Sequence, residues 1–491
     1  MLRKGRFGGE MDPEASEYTS SMRDDVRLFD AIIRINAAHV KMLRECEIIE
    51  GSDADKLLDA LSKLEKEGIE ALDLSPELED IHMAVEEYVS GEVGEEIGGK
   101  LHTAKSRNDQ VSAAIRIALR EEVLEIQEKL IELIKGLSEI AGKNTDTIMP
   151  GHTHLQVAEP TTFGHWLNSY AWPFSRTLEE LNDDYVQVNS SPLGACALAG
   201  TSFPIDREMT SELLGFDGTV DNTIDAVGSR DFALQTMSSL AVLMTNLSRL
   251  AEEISLWSST ESDMIEVPDE FASTSSIMPQ KKNPVVTEIT RGKASRLIGD
   301  LMGGLNLMTT LPQSYNLDLQ ELTPLLWDAV DQSKSSLSIM AKLVKEIRPK
   351  PEKMLEHAEK GFSTATELAD ALVREADVPF RDAHAIVGKL VAGALKEGKE
   401  LDDLKQSDLK KASKEIIGEE IKLSKKKLKK ALDVGECIKS RALPGGPAPK
   451  SVKNELKKLG EKTKESEKIV EKRKKSLAKA RDNLFKSWIG D

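Results

Sequence analysis

Between residues 231 and about 258 the chain carries apolar side chains on more than one helical face: Leu234, Met237, Leu240, Ala241, Val242, Leu243, Met244, Leu247, Leu250 and Ile254. A helix that is apolar nearly all round has to be covered on all sides, either deep in a core or between subunits. It is not a membrane span, because Gln235, Thr236, Arg249, Glu252 and Glu253 interrupt it, and such polarity is costly in lipid. This one segment predicts an oligomeric helical bundle. Three further long helices fit that prediction: 109 to near 142, with Val111, Ile115, Ala118, Ile126, Leu130, Ile134 and Leu137 at helical spacing; 161 to about 185; and 284 to about 311. Shorter helices are expected at 22–49, 53–68 and 80–89, before a glycine-rich stretch, GEVGEEIGG, that reads as a loop. More short helices are expected from about Lys353.

At 491 residues the chain exceeds one ordinary core, and about 150 residues per domain suggests roughly three. We place an N-terminal helical domain at 1–106, a central long-helix domain at 107–355 and a C-terminal helical domain with a Lys-rich end at 356–491. Aromatic residues are only 4% of the chain, which with abundant Leu, Ala, Glu and Lys argues for an all-α fold. The net charge of −18 speaks against nucleic acid, whose phosphates need clustered cations. The charge is uneven: residues 401–491 hold 26 Lys and Arg against 15 Asp and Glu, a pattern that fits a solvated helix surface with interleaved signs. Cys46, Cys196 and Cys437 are too scattered for a disulfide framework or a zinc site, as expected of a reducing cytoplasm. The N-terminus has basic residues but no apolar core of a secretory signal.

Three segments carry chemistry. SRNDQV at 106–111 stands where a long helix begins; Asn108 or Asp109 can cap that helix, and Arg107 offers a fork of donors matched to a carboxylate. PGHTHLQVAEPTTFGHW at 150–166 packs His152, His154 and His165 together. No HExxH or cysteine accompanies them, so proton transfer suits them better than metal, and a structural histidine stays open. STSSIMPQKKNP at 273–284 places two serines and two lysines before a helix N-terminus, a plausible oxyanion cradle or a plain polar loop. Glu288, in the following helix, could orient an imidazole.

Together these segments resemble the fumarase/aspartase superfamily and, within it, the argininosuccinate lyase family. SRNDQV, GHTHLQ, SSIMPQKKNP, YNLDLQE at 315–321 and VPFRDAHAIVG at 378–388 carry the resemblance, which runs from near the N-terminus to about 449. It implies a three-domain all-α fold and a homotetramer on a shared central helix bundle, with each active site assembled from three subunits. The implied reaction is reversible anti elimination of argininosuccinate to L-arginine and fumarate, the last step of arginine biosynthesis, without metal or organic cofactor. By motif, Ser275 matches the catalytic serine of a mobile loop, His154 the catalytic histidine, Glu288 its paired carboxylate and Lys281 the lysine near the reacting carboxylate. Ser21, Asn108, Thr153, Asn283, Tyr315 and Gln320 match substrate-binding positions.

Thr274 stands where the superfamily usually has glycine, and His152 where an aromatic is usual. Thr323 stands where many members have a lysine for a substrate carboxylate, so another cation is expected, with Arg107 as the candidate. The competing readings are a sibling lyase acting on adenylosuccinate, aspartate or malate, and a non-catalytic crystallin-like protein. SRNDQ and YNLDLQE favour argininosuccinate.

Overall fold

The computed structural model describes residues 11–486. Its first layer is three helices, α1 (Phe29–Glu45), α2 (Gly51–Glu67) and α3 (Ile81–Val93). Gly68, at a φ of 80°, stops α2 in a backbone region that costs glycine little. The segment read as a glycine-rich loop is instead the end of α3 followed by short helical turns over 95–102; only Gly94, at a φ of 86°, breaks the run.

The body is a bundle of α4 (Arg107–Lys143), α5 (Phe163–Val188), α6 (Asp231–Trp257), α7 (Val285–Met308) and α8 (Leu322–Glu346). Ser106 caps α4, accepting from the Asn108 N–H at 3.3 Å, while the Asp109 carboxylate accepts from the Ser106 N–H at 3.0 Å. The expected cap at Asn108 or Asp109 is thus corrected: Asp109 is the third residue of a capping box. Pro284 likewise sits just outside α7 as its cap rather than in its first turn.

The over-apolar helix is α6, and the bundle covers most of it. Leu240, Leu243, Met244, Leu247, Leu250 and Ile254 are all fully buried, each contributing on the order of 1.5–3 kcal/mol by leaving water. Among these residues' neighbours Val242 is half exposed, and the larger uncovered apolar surface lies on α7, where Ile298, Met302 and Leu305 face outward at four- and three-residue spacing. One core runs from α1 through the bundle. A second, built on Leu368, Leu372, Ile386, Leu390, Leu409 and Leu428, holds α9 (Ala365–Ala376), α10 (Phe380–Glu397), α11 (Gln406–Ile417) and α12 (Lys425–Leu432).

The Lys-rich end forms α13 (Pro449–Lys486), which returns to pack on α4 and α5 and sends Leu459, Val470 and Leu484 into the main core. Its polar face is laced to the acidic body by Lys462 to Glu179, Lys474 to Glu128 and Arg481 to Asp30. Strands are few. β1 (Ile148–Thr153) and β2 (Gln156–Thr162) form a hairpin, and β3 (Ser273–Thr274) pairs with β4 (Lys282–Asn283). Among the described residues no helix is long and apolar enough to cross a membrane.

Candidate active site

A cavity of about 300 Å³ opens where the N-terminal layer meets the bundle. Five of the expected substrate-binding residues, Ser21, Arg107, Asn108, Tyr315 and Gln320, line it, with Asp25, Asp80, Arg230 and Thr323 beside them. Residues far apart in sequence are tied to one another around it. The Ser21 N–H donates to the Glu79 carbonyl at 3.0 Å, and Gln320 Nε2 donates to the Thr19 carbonyl at 3.1 Å. Asn108, held by the cap of α4, donates through Nδ2 to the Ala197 carbonyl at 2.9 Å. Tyr315 approaches because Gly228 has no side chain; a Cβ there would lie 2.5 Å from the Ser314 nitrogen.

The cavity is rich in buried charge. Asp25 accepts a hydrogen bond from the Ser21 hydroxyl, and burial pushes its carboxyl up to about 7. Asp80 caps α3, accepting from the Met83 N–H at 2.8 Å, and its other oxygen meets Arg107 Nε at 3.0 Å; burial raises it, against the pull of Arg107. Arg107 Nη1 also reaches Glu86 at 3.1 Å. Burial would raise Glu86, yet the His102 hydrogen bond and the charges of Arg107 and Lys105 hold it below the usual carboxylate range. Lys105, buried and donating to Asn36, is pushed down to about 8 by desolvation. The Arg107 fork is therefore occupied by two carboxylates of its own chain, where the sequence offered it as the replacement cation for position 323.

The remaining candidates lie elsewhere. Thr153 and His154 are exposed at the tip of the β1–β2 hairpin, where Thr153 pairs with Gln156. His154 and Leu155, the two turn residues, have φ of 57° and 58°. This left-handed pair suits the twist of a tight hairpin but is disfavoured for a leucine, and such strain clusters at functional sites. The hairpin rests on the end of α6, with the His152 ring stacked on Trp257 at 4.7 Å between centroids. Ser275 and Lys281 lie in the loop closed by β3 and β4, and Ile277 at its crest is 83% exposed. The Ser275 Oγ accepts from the Ile277 and Met278 N–H groups at 3.3 and 3.1 Å. Asn283 ends β4, and Glu288 is exposed in the first turn of α7. Among the described residues no hydrogen bond joins Glu288 to His154.

These two groups occupy opposite ends of the bundle. Arg230, which lines the cavity, is the residue before α6, whereas Trp257, under the hairpin, ends it. The base of the serine loop is at that same far end, since Ser255 and Thr287 share a hydrogen bond of 2.7 Å. The 27 residues of α6 span about 40 Å at roughly 1.5 Å per residue. Among the described residues no group of three or more His, Cys, Asp or Glu is arranged to hold a metal ion. Asp25, Asp80, Glu86 and Arg230 were not singled out from sequence as site residues; Asp80 reads there only as a helix start.

A lyase family model matches residues 5–299, and a model of the argininosuccinate lyase C-terminal region matches 362–439. Among curated relatives, the argininosuccinate lyase of Methanothermobacter thermautotrophicus is 48% identical over 452 residues, covering 92% of this chain and 96% of that one. That of Methanocaldococcus jannaschii is 44% identical over 485 residues, 99% of each. Among solved structures, an EDDS lyase variant with bound fumarate is 31% identical with a TM-score of 0.89, covering 99% of this chain and 97% of that one. A fumarate lyase from Mesorhizobium sp. BNC1, at 20% identity and a TM-score of 0.74, shares the fold. On this fold, these motifs and these relatives, the chain belongs to the argininosuccinate lyase family of carbon–nitrogen lyases.

Proposed function

We propose that the protein cleaves argininosuccinate reversibly to L-arginine and fumarate, in a homotetramer whose active sites each draw on three subunits. The observation that carries the shared site is the separation of about 40 Å set by α6, which no small substrate bridges. Neighbouring copies laid antiparallel bring the hairpin of one and the serine loop of another to the cavity of the first. The outward apolar residues Ile298, Met302 and Leu305 of α7 supply a surface for that contact.

In this arrangement Ser275 removes the Cβ proton of the succinate moiety. The electron pair moves into the adjacent carboxylate as an aci-carboxylate dianion, which Lys281, Asn283 and the loop amides stabilise. As the pair returns to form the C=C bond, the Cα–N bond breaks and His154, paired with Glu288, protonates the departing guanidino nitrogen. A serine is a weak base in water. The two N–H groups directed at Ser275 Oγ favour its anion, and loop closure would exclude solvent. Ser21, Asn108, Tyr315 and Gln320 bind the arginine portion in the cavity, with Arg107 held in place beside them, while Thr153 binds from the hairpin.

Fumarate absorbance tests the reaction: argininosuccinate is expected to release fumarate, and adenylosuccinate, aspartate and malate are not. Fumarate from one of the other three and none from argininosuccinate would overturn the reading. Sedimentation is expected to show a tetramer, and monomers with full activity would end the shared-site model.

A further inference from the structure

The hairpin that carries His154 is exposed at its tip, from Thr153 to Gln156. At its root the Glu159 carboxylate accepts from Arg441 Nη2 at 3.2 Å, and Thr161 Oγ1 meets His165 Nδ1 at 2.8 Å. Between root and tip stands one cross-strand pair, His152 opposite Val157, next to the Thr153–Gln156 pair that closes the turn. Residues directly opposite in an antiparallel ladder point to the same face, so this pair forms a two-residue foot. His152 stands on Trp257 at the end of α6, with the ring planes 29° apart. Val157 stands on Gly361, which ends the helix Pro351–Lys360.

The backbone does not require glycine at 361: its φ is −95° and its ψ 17°, a conformation open to residues with side chains. Space requires it. A Cβ there would lie 2.5 Å from Val157 Cγ1, 2.8 Å from its Cβ and 3.2 Å from its Cγ2. Val157 cannot swing clear, because all three carbons crowd the place and branching at Cβ leaves its χ1 stiff. Carbon atoms pack at about 3.5–4.0 Å, so any side chain at 361 has to drive the hairpin outward by about 1 Å.

We propose that Trp257 and Gly361 form a two-point seat which, through His152 and Val157, sets the position of His154, making all four positioning residues for proton transfer. The proposal rests on the reading above of His154 as the acid that protonates the departing nitrogen. Proton transfer needs heavy atoms within about 2.6–3.2 Å, so a shift of about 1 Å at the foot takes the imidazole, two residues beyond His152, out of reach. The two points come from different parts of the chain: Trp257 ends a bundle helix, whereas Gly361 leads into the helices of the second core. Among the described residues those after 350 line no part of the cavity and include none of the proposed proton-transfer groups. The seat gives that region a part in the reaction.

The test measures fumarate release from argininosuccinate by the full-length assembled protein. Gly361→Ala is expected to lower kcat about 30-fold or more, with KM within about 5-fold, since the residues that line the cavity are untouched. Val157→Ala alone should cost less. Combined with Gly361→Ala it should recover about 10-fold or more of kcat, because the room lost at 361 is returned at 157. That rescue separates positioning from general damage. Should Gly361→Ala fail to assemble, the other point of the seat is read instead: His152→Ala is expected to lower kcat about 10-fold, and His152→Phe, which keeps a ring on Trp257, to restore most of that loss. A kcat for Gly361→Ala or His152→Ala within about 3-fold of wild type, or a double variant no faster than Gly361→Ala, would overturn the proposal. Wild-type protein that releases no fumarate, or His154→Asn with full turnover, would fail the functional reading and this proposal with it. An active wild type that depends on His154 but is indifferent to changes at 361 and 152 fails this proposal alone.

Discussion

The cavity and the segments proposed for proton transfer are built in opposite ways. Around the cavity every element is braced within one chain: Asp80 caps a helix and holds Arg107, Gln320 reaches back to Thr19, and Ser21 is tied to Glu79 and Asp25. At the other end His154 sits on a strained, exposed hairpin tip, and Ser275 on a loop whose crest is in solvent. Recognition is preorganised by folding. The end proposed for proton transfer is left open by folding, which fits the proposal that other copies and a closing loop complete it.

The largest effects should come from the open end. Ser275→Ala and His154→Asn are each expected to lower kcat by about 10²–10⁴-fold with KM little changed. Tetramers mixed from the two inactive variants should regain activity, because some sites then receive both intact groups. Mixed tetramers that stay inactive would break the contrast between the two ends. Next comes the surface that joins them. Met302→Asp places a charge on the outward face of α7 and should weaken assembly by about 3 kcal/mol or more, read as dissociation and activity loss together on dilution. Activity that persists in monomers would show both ends working within one chain.

The smallest effect sharpens the braced end. Asp25, pushed up to about 7 by burial, is ionised above that pH and neutral below it. In the proposed function the substrate's cationic amino group binds beside it, so KM should fall several-fold as pH rises through about 7. Asp25→Asn should flatten that profile. For stability the sign is reversed: a carboxyl raised from about 3.9 holds its proton longer in the folded state. Its contribution is complete below about pH 4 and is lost as pH rises toward 7.

Helices announced themselves in the sequence wherever their apolar spacing reached several turns, as at Val111 to Leu137 in α4 and Leu234 to Ile254 in α6. The sequence reading of 22–49 as one helix became three pieces because Met22–Asp25 and Val26–Leu28 turn separately before α1. The α8 helix, although amphipathic, carried no motif and was not singled out. The hairpin at 148–162 gives no strand signal in the sequence, because Pro150 and Pro160 interrupt any strand alternation and no Asn-Gly marks its turn. For the candidate site, motifs named residues that do converge, such as Asn108 and Tyr315. They could not name Asp25 or Arg230, whose significance comes from being buried beside them. Nor could spacing tell that the Arg107 fork would be filled by Asp80 and Glu86, which lie 27 and 21 positions away in the chain.

One consequence of α6 concerns evolution more than chemistry. Removing a single helical turn would move Arg230 about 5.4 Å relative to Trp257 and misplace both halves in every copy simultaneously. Side chains along α6 are thus free to be exchanged for others of similar bulk, whereas its residue count behaves as a fixed gauge.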